Sequence, residues 1–187
     1  MTYNINDQML GVNNVATKKK INSKAKGAEY ERRIAKYLGA WWGESFHRTP
    51  QSGGLNWGTD SRVAGDITTP VDSKFPFTVE CKKREGWDLD QVIKGTGQVE
   101  KWWTQCIGDS ERVELRPFLI FAKNFNPDYC MLKYDDFISL ARKRKENNFN
   151  YFIIHTVGVP YKRVVVSLDD FTKAFTPEDV LEALGVE

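Results

Sequence analysis

The stretch FTVECKK, residues 77–83, places an acidic and a basic side chain inside a segment that otherwise has the composition of a buried β-strand. Because side chains alternate across a strand, every second residue from Phe77 to Cys81 lies on one face, while Glu80 and Lys82 lie on the other. A buried carboxylate or ammonium group is costly unless it is paired or binds a ligand. The stretch therefore predicts a sheet strand with either an ion pair or a chemical site on one face.

The composition indicates one globular domain. The chain has 187 residues, of which 41% are hydrophobic and 28% are charged, enough to bury a full core. Its three cysteines have no pairing-like or metal-ligand spacing, so we predict that they are reduced and structural. We find no apolar run of membrane-spanning length, no signal pattern and no Walker loop. We therefore expect a soluble, intracellular, cytoplasmic protein that uses neither a membrane nor ATP.

Basic side chains are clustered although the net charge is only +2. Between Lys18 and Arg48, nine lysines or arginines stand against three acids, which leaves a local charge of +6. Residues 82–84 and 142–145 form two further basic clusters. Clustered positive charge suits a phosphate-backbone partner, and a solubilising face is the alternative for any single cluster.

Strand-like and helix-like segments interleave after a polar N-terminal stretch. Residues 1–22 are Asn-rich and carry a Lys triplet, so we predict a flexible basic arm ahead of a single domain over residues 23–187. The interleaving predicts an α/β fold with a central mixed β-sheet flanked by helices. We expect the first helix to run from an N-cap at Ser23 to Leu38 and to end at Gly39.

Further boundaries follow from the same signals. A second helix is expected from Thr96 to Ile107, and a last helix from an N-cap at Thr176 with Pro177 at its first position. The first three predicted strands are sequence neighbours and are expected to share the central sheet.

The first helix contains a second acid in an unexpected place. At about 100° per residue, Glu29 falls in the polar arc, whereas Glu31 falls between Leu38 and Ala35 on the apolar side. An inward carboxylate needs a cation, so Glu31 is either paired with a lysine such as Lys82 or part of a metal site.

A third acid completes the pattern. Asp66 follows Gly65, and thirteen residues separate it from Glu80. Gly-Asp alone is typical of a turn, but two adjacent strands can bring Asp66, Glu80 and Lys82 to one point beside Glu31. Such a group suits phosphodiester hydrolysis, because carboxylates hold Mg²⁺ and a lysine can orient water and add positive charge.

These residues resemble the PD-(D/E)xK nuclease superfamily, in which an aspartate precedes an ExK strand. More narrowly, KGAEYERR (residues 26–33), HRTPQSGG (residues 47–54) and GDI…TVECKKRE resemble archaeal-type Holliday junction resolvases, including the phage-type enzymes. The resemblance covers roughly residues 24–85. It implies a restriction-endonuclease-like fold, with a C-terminal extension, and a Mg²⁺-dependent endonuclease for branched or four-way DNA in recombination, repair or phage replication. Mn²⁺ is the alternative metal.

The resemblance also implies roles for the acids and the lysine. Asp66 and Glu80 are expected to bind the metal, with the Cys81 backbone carbonyl as a further ligand. Glu31 is expected to bind metal through water or to complete a second site, and Lys82 to position the attacking water. Glu31, Asp66, Glu80 and Lys82 are thus the predicted catalytic residues.

The predicted DNA contacts lie on the first helix, the following loop and the segments after the ExK strand: Lys26, Arg32, Arg48, Ser52, Trp57, Lys83, Arg84 and Gln98. Arg48 and Ser52 are expected to steady the scissile phosphate. Trp57 either stacks on a base or packs its loop onto the body, and Gln98 either contacts the metal water or a phosphate or is an ordinary helix-edge residue. Symmetric junction cleavage needs two sites about a two-fold axis, which predicts a homodimer acting on DNA.

Three departures keep other functions open. Gly65 stands where the superfamily motif has proline, and both the loop at residues 51–65 and the C-terminal half are longer than a minimal resolvase needs. A restriction-like endonuclease or a DNA-end exonuclease on the same fold is one alternative. A non-catalytic DNA-binding accessory protein is the other.

Overall fold

The computed structural model describes residues 22–50, 64–143, 149–156 and 158–186. The elements in chain order are α1 (Ser23–Trp42), β1 (His47–Arg48), β2 (Ile67–Thr68), β3 (Phe77–Lys83), α2 (Leu89–Lys94), α3 (Gly97–Arg112), β4 (Arg116–Ala122), β5 (Tyr129–Lys133), α4 (Tyr134–Ala141), β6 (Tyr151–Ile154), β7 (Arg163–Ser167), α5 (Leu168–Ala174) and α6 (Pro177–Leu184). The predicted arm lies outside the described residues apart from Asn22.

Five strands form the central sheet in the order β3-β4-β5-β7-β6. The β3–β4 pair is parallel and the other neighbouring pairs are antiparallel, so the sheet is mixed, as predicted. The strands β1 and β2 form a separate antiparallel pair, so the expectation that the first three strands share the central sheet is wrong. Just before β2, Gly65 forms an isolated parallel bridge with Val79 at the edge of β3.

Helices cover both faces of the sheet, which confirms the predicted α/β class. Because side chains alternate along β4, Phe118 and Ile120 enter one core with α1, α4, α5 and α6. Leu119 and Phe121 enter a second core, which α3 completes with Trp103. The alternation predicted for FTVECKK is observed, since Phe77, Val79 and Cys81 join the α1 core.

The three cysteines lie inside the protein. Cys81, Cys106 and Cys130 are buried and form no disulfide, as expected of structural residues. None of the helices in the described ranges is long and apolar enough to cross a membrane.

The helix α1 differs from its predicted bounds at both ends. Its N-cap is Asn22, not Ser23, because the Asn22 side chain accepts hydrogen bonds from two backbone N–H groups of the first turn. The helix ends at Gly43, which has a left-handed φ of 82°, and not at Gly39. Gly39 serves close packing instead, since a Cβ there would lie 2.6 Å from the carbonyl oxygen of Glu44.

The remaining helices agree in part with the predicted boundaries. α3 begins one residue after the predicted start at Thr96, which occupies the N-cap position, and continues to Arg112, beyond the predicted end at Ile107. The predicted start of α6 is confirmed, with Thr176 and Asp179 forming a capping box. The short helices α2 and α5 were not predicted, because six or seven residues give too little periodicity to recognise.

The segment that follows β5 shares its core with the rest of the molecule. β7 lies between β5 and β6 in the sheet. Phe171 of α5 and Val180 and Leu184 of α6 pack in the same core as α1. The C-terminal half therefore builds the sheet and the layer that supports α1.

Two glycines inside helices give opposite expectations for the same substitution. Replacing a glycine inside a helix by alanine usually raises the free energy of unfolding by about 0.5–1 kcal/mol. At Gly108 of α3 an added Cβ meets nothing within 4 Å, so Gly108→Ala should show this gain. At Gly39 the close contact with Glu44 should reverse the sign, and Gly39→Ala should destabilise the protein by about 1–3 kcal/mol. Urea unfolding of both variants measures the difference, and equal gains would contradict the close packing of Gly39.

Candidate active site

Asp66 is fixed against the outer edge of β3 by two hydrogen bonds. Its backbone N–H donates to the carbonyl oxygen of Val79 at 2.7 Å, and its carboxylate Oδ2 accepts from the backbone N–H of Cys81 at 2.8 Å. Gly65 makes this approach possible, because it has a φ of 74° and a Cβ would lie 2.4 Å from the Val79 carbonyl oxygen. Proline, with its φ fixed near −65°, cannot take this conformation. The glycine that departs from the superfamily motif is therefore required here.

Glu80 and Lys82 lie side by side on the α3 face of the sheet. Glu80 is 2% exposed, forms an ion pair with the Lys82 ammonium group, and accepts a 2.9 Å hydrogen bond from Nε2 of Gln105. The pKa of Glu80 is raised to about 7. Burial is the largest cause and the negative charge of Asp66 is the second, while the positive charge of Lys82 lowers the pKa. Burial alone would lower the pKa of Lys82, but Glu80 outweighs it and the pKa is raised. The three predicted residues thus form one electrostatic cluster.

Cys81 contributes its backbone and not its thiol to this edge. The thiol lies in the α1 core. Its pKa is raised, mainly by burial and to a smaller extent by the negative charges of Asp66, Glu80 and Glu31. The N–H and C=O of one strand residue point to the same side of the strand. Since the Cys81 N–H points to Asp66, the Cys81 carbonyl also points to this edge.

Glu31 lies on the inward face of α1, and Glu29 is exposed, as the helical periodicity predicted. The Glu31 side chain is 14% exposed and forms an ion pair with Nε of Arg48 in β1. Its partner is therefore an arginine and not Lys82. The charge of Glu31 also contributes to the raised pKa of the Cys81 thiol, which lies on the α1 side of β3.

The oxygen donors at this edge suit a hard divalent cation. Among the described residues, no group of three or more His, Cys, Asp and Glu side chains is arranged to hold a metal ion, and Glu31 is held by Arg48. Asp66, Glu80 and the Cys81 carbonyl nevertheless supply oxygen ligands, and the two buried carboxylates repel each other in a way that a cation would relieve. Mg²⁺ keeps several waters and needs only one or two carboxylates, so this donor set fits it.

The predicted DNA-contact cations occupy different environments. Arg32 is exposed on α1, Lys26 is half-buried in its first turn, and Arg84 is exposed just beyond β3. The Lys83 ammonium group lies 5.7 Å from the centroid of the Tyr30 ring, on the α1 side of the sheet. Ser52 and Trp57 lie outside the described residues, and their contacts stay predictions.

The glutamine that contacts the acid cluster is Gln105, which sequence reasoning missed. Gln98 is exposed at the start of α3, where Gly86 is its neighbour: a Cβ at Gly86 would lie 3.5 Å from Nε2 of Gln98. The two glutamines are seven residues apart and therefore share one face of the helix. Periodicity indicates that face, but not which helical turn packs over Glu80.

Residues 22–182 match the family described as "Phage putative PDDEXK endonuclease". The chain belongs to this family. The match extends from the N-cap of α1 into α6, and it confirms the resemblance to PD-(D/E)xK nucleases of phage type and the predicted fold.

One curated relative is a phage protein. Protein D14 of Escherichia phage T5 is 31% identical to it over 108 residues, which are 56% of this chain and 66% of Protein D14. The chain therefore covers just under two thirds of that relative. Comparison with solved structures gave no significant match.

Proposed function

We propose that this family member is a Mg²⁺-dependent DNA endonuclease that hydrolyses phosphodiester bonds at the cluster of Asp66, Glu80 and Lys82. The observation that carries the proposal is the docking of Asp66 on β3, which brings the acid to the ExK residues across thirteen intervening positions. Family membership supports nuclease chemistry, and the cluster has the charges that this chemistry needs.

The residues at the β3 edge would hold and orient the metal. Asp66, Glu80 and the Cys81 carbonyl are the proposed ligands of Mg²⁺, with Mn²⁺ as the alternative. When bound, the metal supplies positive charge to the phosphate and acidifies a water. The Cys81 N–H orients the Asp66 carboxylate, and Gln105 orients the Glu80 carboxylate. These bonds leave little freedom to the two acids, which favours a preorganised site.

The basic side chains would act on the water and the phosphate. The Lys82 ammonium group forms an ion pair with Glu80, and the lysine side chain is 24% exposed. The ammonium group can therefore reach a water held at the acids and offset charge that develops on the phosphate. Arg48 is held by Glu31 and would, with Ser52, steady the scissile phosphate. In this arrangement Glu31 acts through Arg48 or through a metal-bound water.

The proposed substrate is branched DNA, including four-way junctions, within the cytoplasm of an infected host. The resemblance to resolvases favours this substrate, and Lys26 and Arg32 on the surface of α1 provide positive charge for the DNA backbone. The reaction would serve phage replication, recombination or repair.

Substitutions at the cluster should remove cleavage while leaving the fold intact. We expect Asp66→Asn and Lys82→Ala to lower the rate of DNA cleavage in Mg²⁺ by about 100-fold or more. Glu31→Gln should lower it by about 10-fold or more, because the orientation of Arg48 is lost. Glu29→Gln, which changes an exposed acid on the same helix, is the matched control and should retain the wild-type rate. Full activity of Asp66→Asn would show that the site is wrong.

The same assay separates the candidate substrates. Linear duplex, single strand, flap and four-way junction of shared sequence should be compared, and the junction should be cut fastest. Progressive digestion from duplex ends without preference for the junction would instead identify a DNA-end exonuclease.

We also propose that the protein forms a homodimer through β6. This strand is at the edge of the sheet, and within the described residues β7 is its one strand partner. Tyr151, Phe152 and Ile153 are 40–50% exposed, and β6 carries none of the charges or prolines that usually protect an edge. Antiparallel pairing of β6 with a second copy has two-fold symmetry and would extend the sheet to ten strands. The two β3 strands would then be nine strand spacings, or about 43 Å, apart, somewhat more than the roughly 34–36 Å of one turn of B-DNA.

A charge on β6 should dissociate this dimer. We expect wild-type protein at micromolar concentration to have twice the mass of one chain in light scattering after size exclusion, and Phe152→Lys to be monomeric. Val71→Lys, which changes an exposed apolar residue between β2 and β3, is the control and should stay dimeric. A monomeric wild type, or a dimeric Phe152→Lys, would contradict pairing through β6.

A further inference from the structure

The turn between β4 and β5 carries an aromatic side chain that contributes nothing to the fold. Phe125 is completely exposed, with a relative exposure of 107%, and its backbone has a φ of 60°. A bulky side chain in this left-handed region is strained, and an exposed phenyl ring gains nothing from burial. Phe125 thus combines a strained backbone with a side chain that is not buried, which indicates that the ring binds another molecule.

The turn lies at the end of the sheet where β3 leaves the acid cluster. β3 and β4 are parallel, and Lys83 is paired with Ala122, so both strands end side by side. The pairing continues with a 3.0 Å hydrogen bond from the backbone N–H of Arg84 to the Ala122 carbonyl oxygen. Phe125 follows Ala122 by three residues, so its Cα lies within about 11 Å of this strand end.

Contacts at both ends of the turn hold its tip outward. The Lys123 ammonium group lies 4.9 Å from the centroid of the Trp87 ring, and the backbone N–H of Asn124 donates to Glu85 at 3.0 Å. At the other end, the Asp128 carboxylate accepts hydrogen bonds from the Arg33 guanidinium group at 2.8 and 2.9 Å, and from the Tyr30 hydroxyl group at 3.0 Å. Phe125 therefore projects from an anchored turn.

The surroundings of Phe125 favour nucleic acid over an apolar protein surface. Lys83, Arg84 and Lys123 lie in and beside this end of the sheet. The two acids named at the turn are already held, Glu85 by Asn124 and Asp128 by Arg33 and Tyr30. An exposed ring between cations matches single-stranded DNA, in which bases stack on aromatic side chains while cations follow the phosphates. An apolar cavity adjoins this turn, and its lining includes Trp87, Lys123 and Asn126 but not Phe125. The ring is therefore not part of the kind of apolar pocket that a protein hot spot fills.

We propose that Phe125 stacks on an unpaired base of the DNA substrate beside the cleavage site. The proposal rests on the proposed function in that DNA is the substrate. A closed duplex offers no free base face, whereas a branch point, a bulge or a flap does. Phe125 thus makes the protein prefer DNA with unpaired bases, and it takes the role that the sequence analysis considered for Trp57.

Binding experiments in EDTA test this contact independently of cleavage. Fluorescence anisotropy would compare a closed duplex, the same duplex with a three-base bulge, and a four-way junction. The key variant is Phe125→Asn, because asparagine tolerates a positive φ and the variant should fold at least as stably as the wild type. We expect Phe125→Asn to bind the bulge and the junction about 5- to 100-fold more weakly, with less than about a twofold change for the duplex.

Two further variants control for the ring and for exposed apolar surface. Phe125→Trp keeps an aromatic face and should bind the bulged DNA at least as tightly as the wild type. Val71→Asn removes an exposed apolar side chain away from this turn and should bind all three DNAs as the wild type does. Wild-type affinity of Phe125→Asn for the bulge, or an equal loss for all three DNAs, would overturn the proposal.

The failure of the stacking contact and the failure of the nuclease site give different results. If Asp66→Asn abolishes cleavage but Phe125→Asn binds normally, the nuclease site stands and the stacking proposal is overturned. If Asp66→Asn still cleaves while Phe125→Asn loses bulge affinity, the catalytic assignment fails and the stacking contact is supported. Absence of wild-type binding to all three DNAs would overturn the stacking proposal directly.

Discussion

The arrangement of the candidate site depends on the docking of Asp66 on the edge of β3. Two hydrogen bonds, to the Val79 carbonyl and from the Cys81 N–H, fix both the backbone and the carboxylate of this residue. The strands β1 and β2 have only two residues each and give little pairing of their own. Gly65 lets the chain come close enough for both bonds, so the position of the acid depends on a residue that has no side chain.

The charges at this edge are better explained by chemistry than by stability. The acids of the candidate site all have partners. Asp66 accepts a hydrogen bond from the Cys81 N–H, Glu80 contacts Lys82 and Gln105, and Glu31 contacts Arg48. Replacing a buried ion pair by apolar side chains is often neutral or stabilising. β3, an edge strand that is already anchored in the α1 core by Phe77, Val79 and Cys81, therefore has no need of Glu80 and Lys82 for folding. Their presence next to Asp66 is consistent with the endonuclease family to which the chain belongs.

The parts of the structure that follow from local periodicity could be predicted. The two-residue period of FTVECKK assigned its faces, and the helical period separated Glu31 from Glu29, because each pattern depends only on the element itself. The end of α1 could not be predicted in this way. Glycine is needed at position 39 because the backbone of Glu44 packs closely against it, and not because the helix ends there. The contact of Gln105 with Glu80 depends on how far α3 extends along β3, which no local pattern contains.

Anomalous diffraction from crystals grown with Mn²⁺ tests the central claim most directly, because it locates the cation without depending on turnover. We expect a strong anomalous peak in contact with the carboxylates of Asp66 and Glu80, and we expect the peak to be absent from crystals of Asp66→Asn. A cation bound elsewhere on the protein, or a peak that persists unchanged in Asp66→Asn, would contradict the assignment of this edge of β3 as the catalytic metal site.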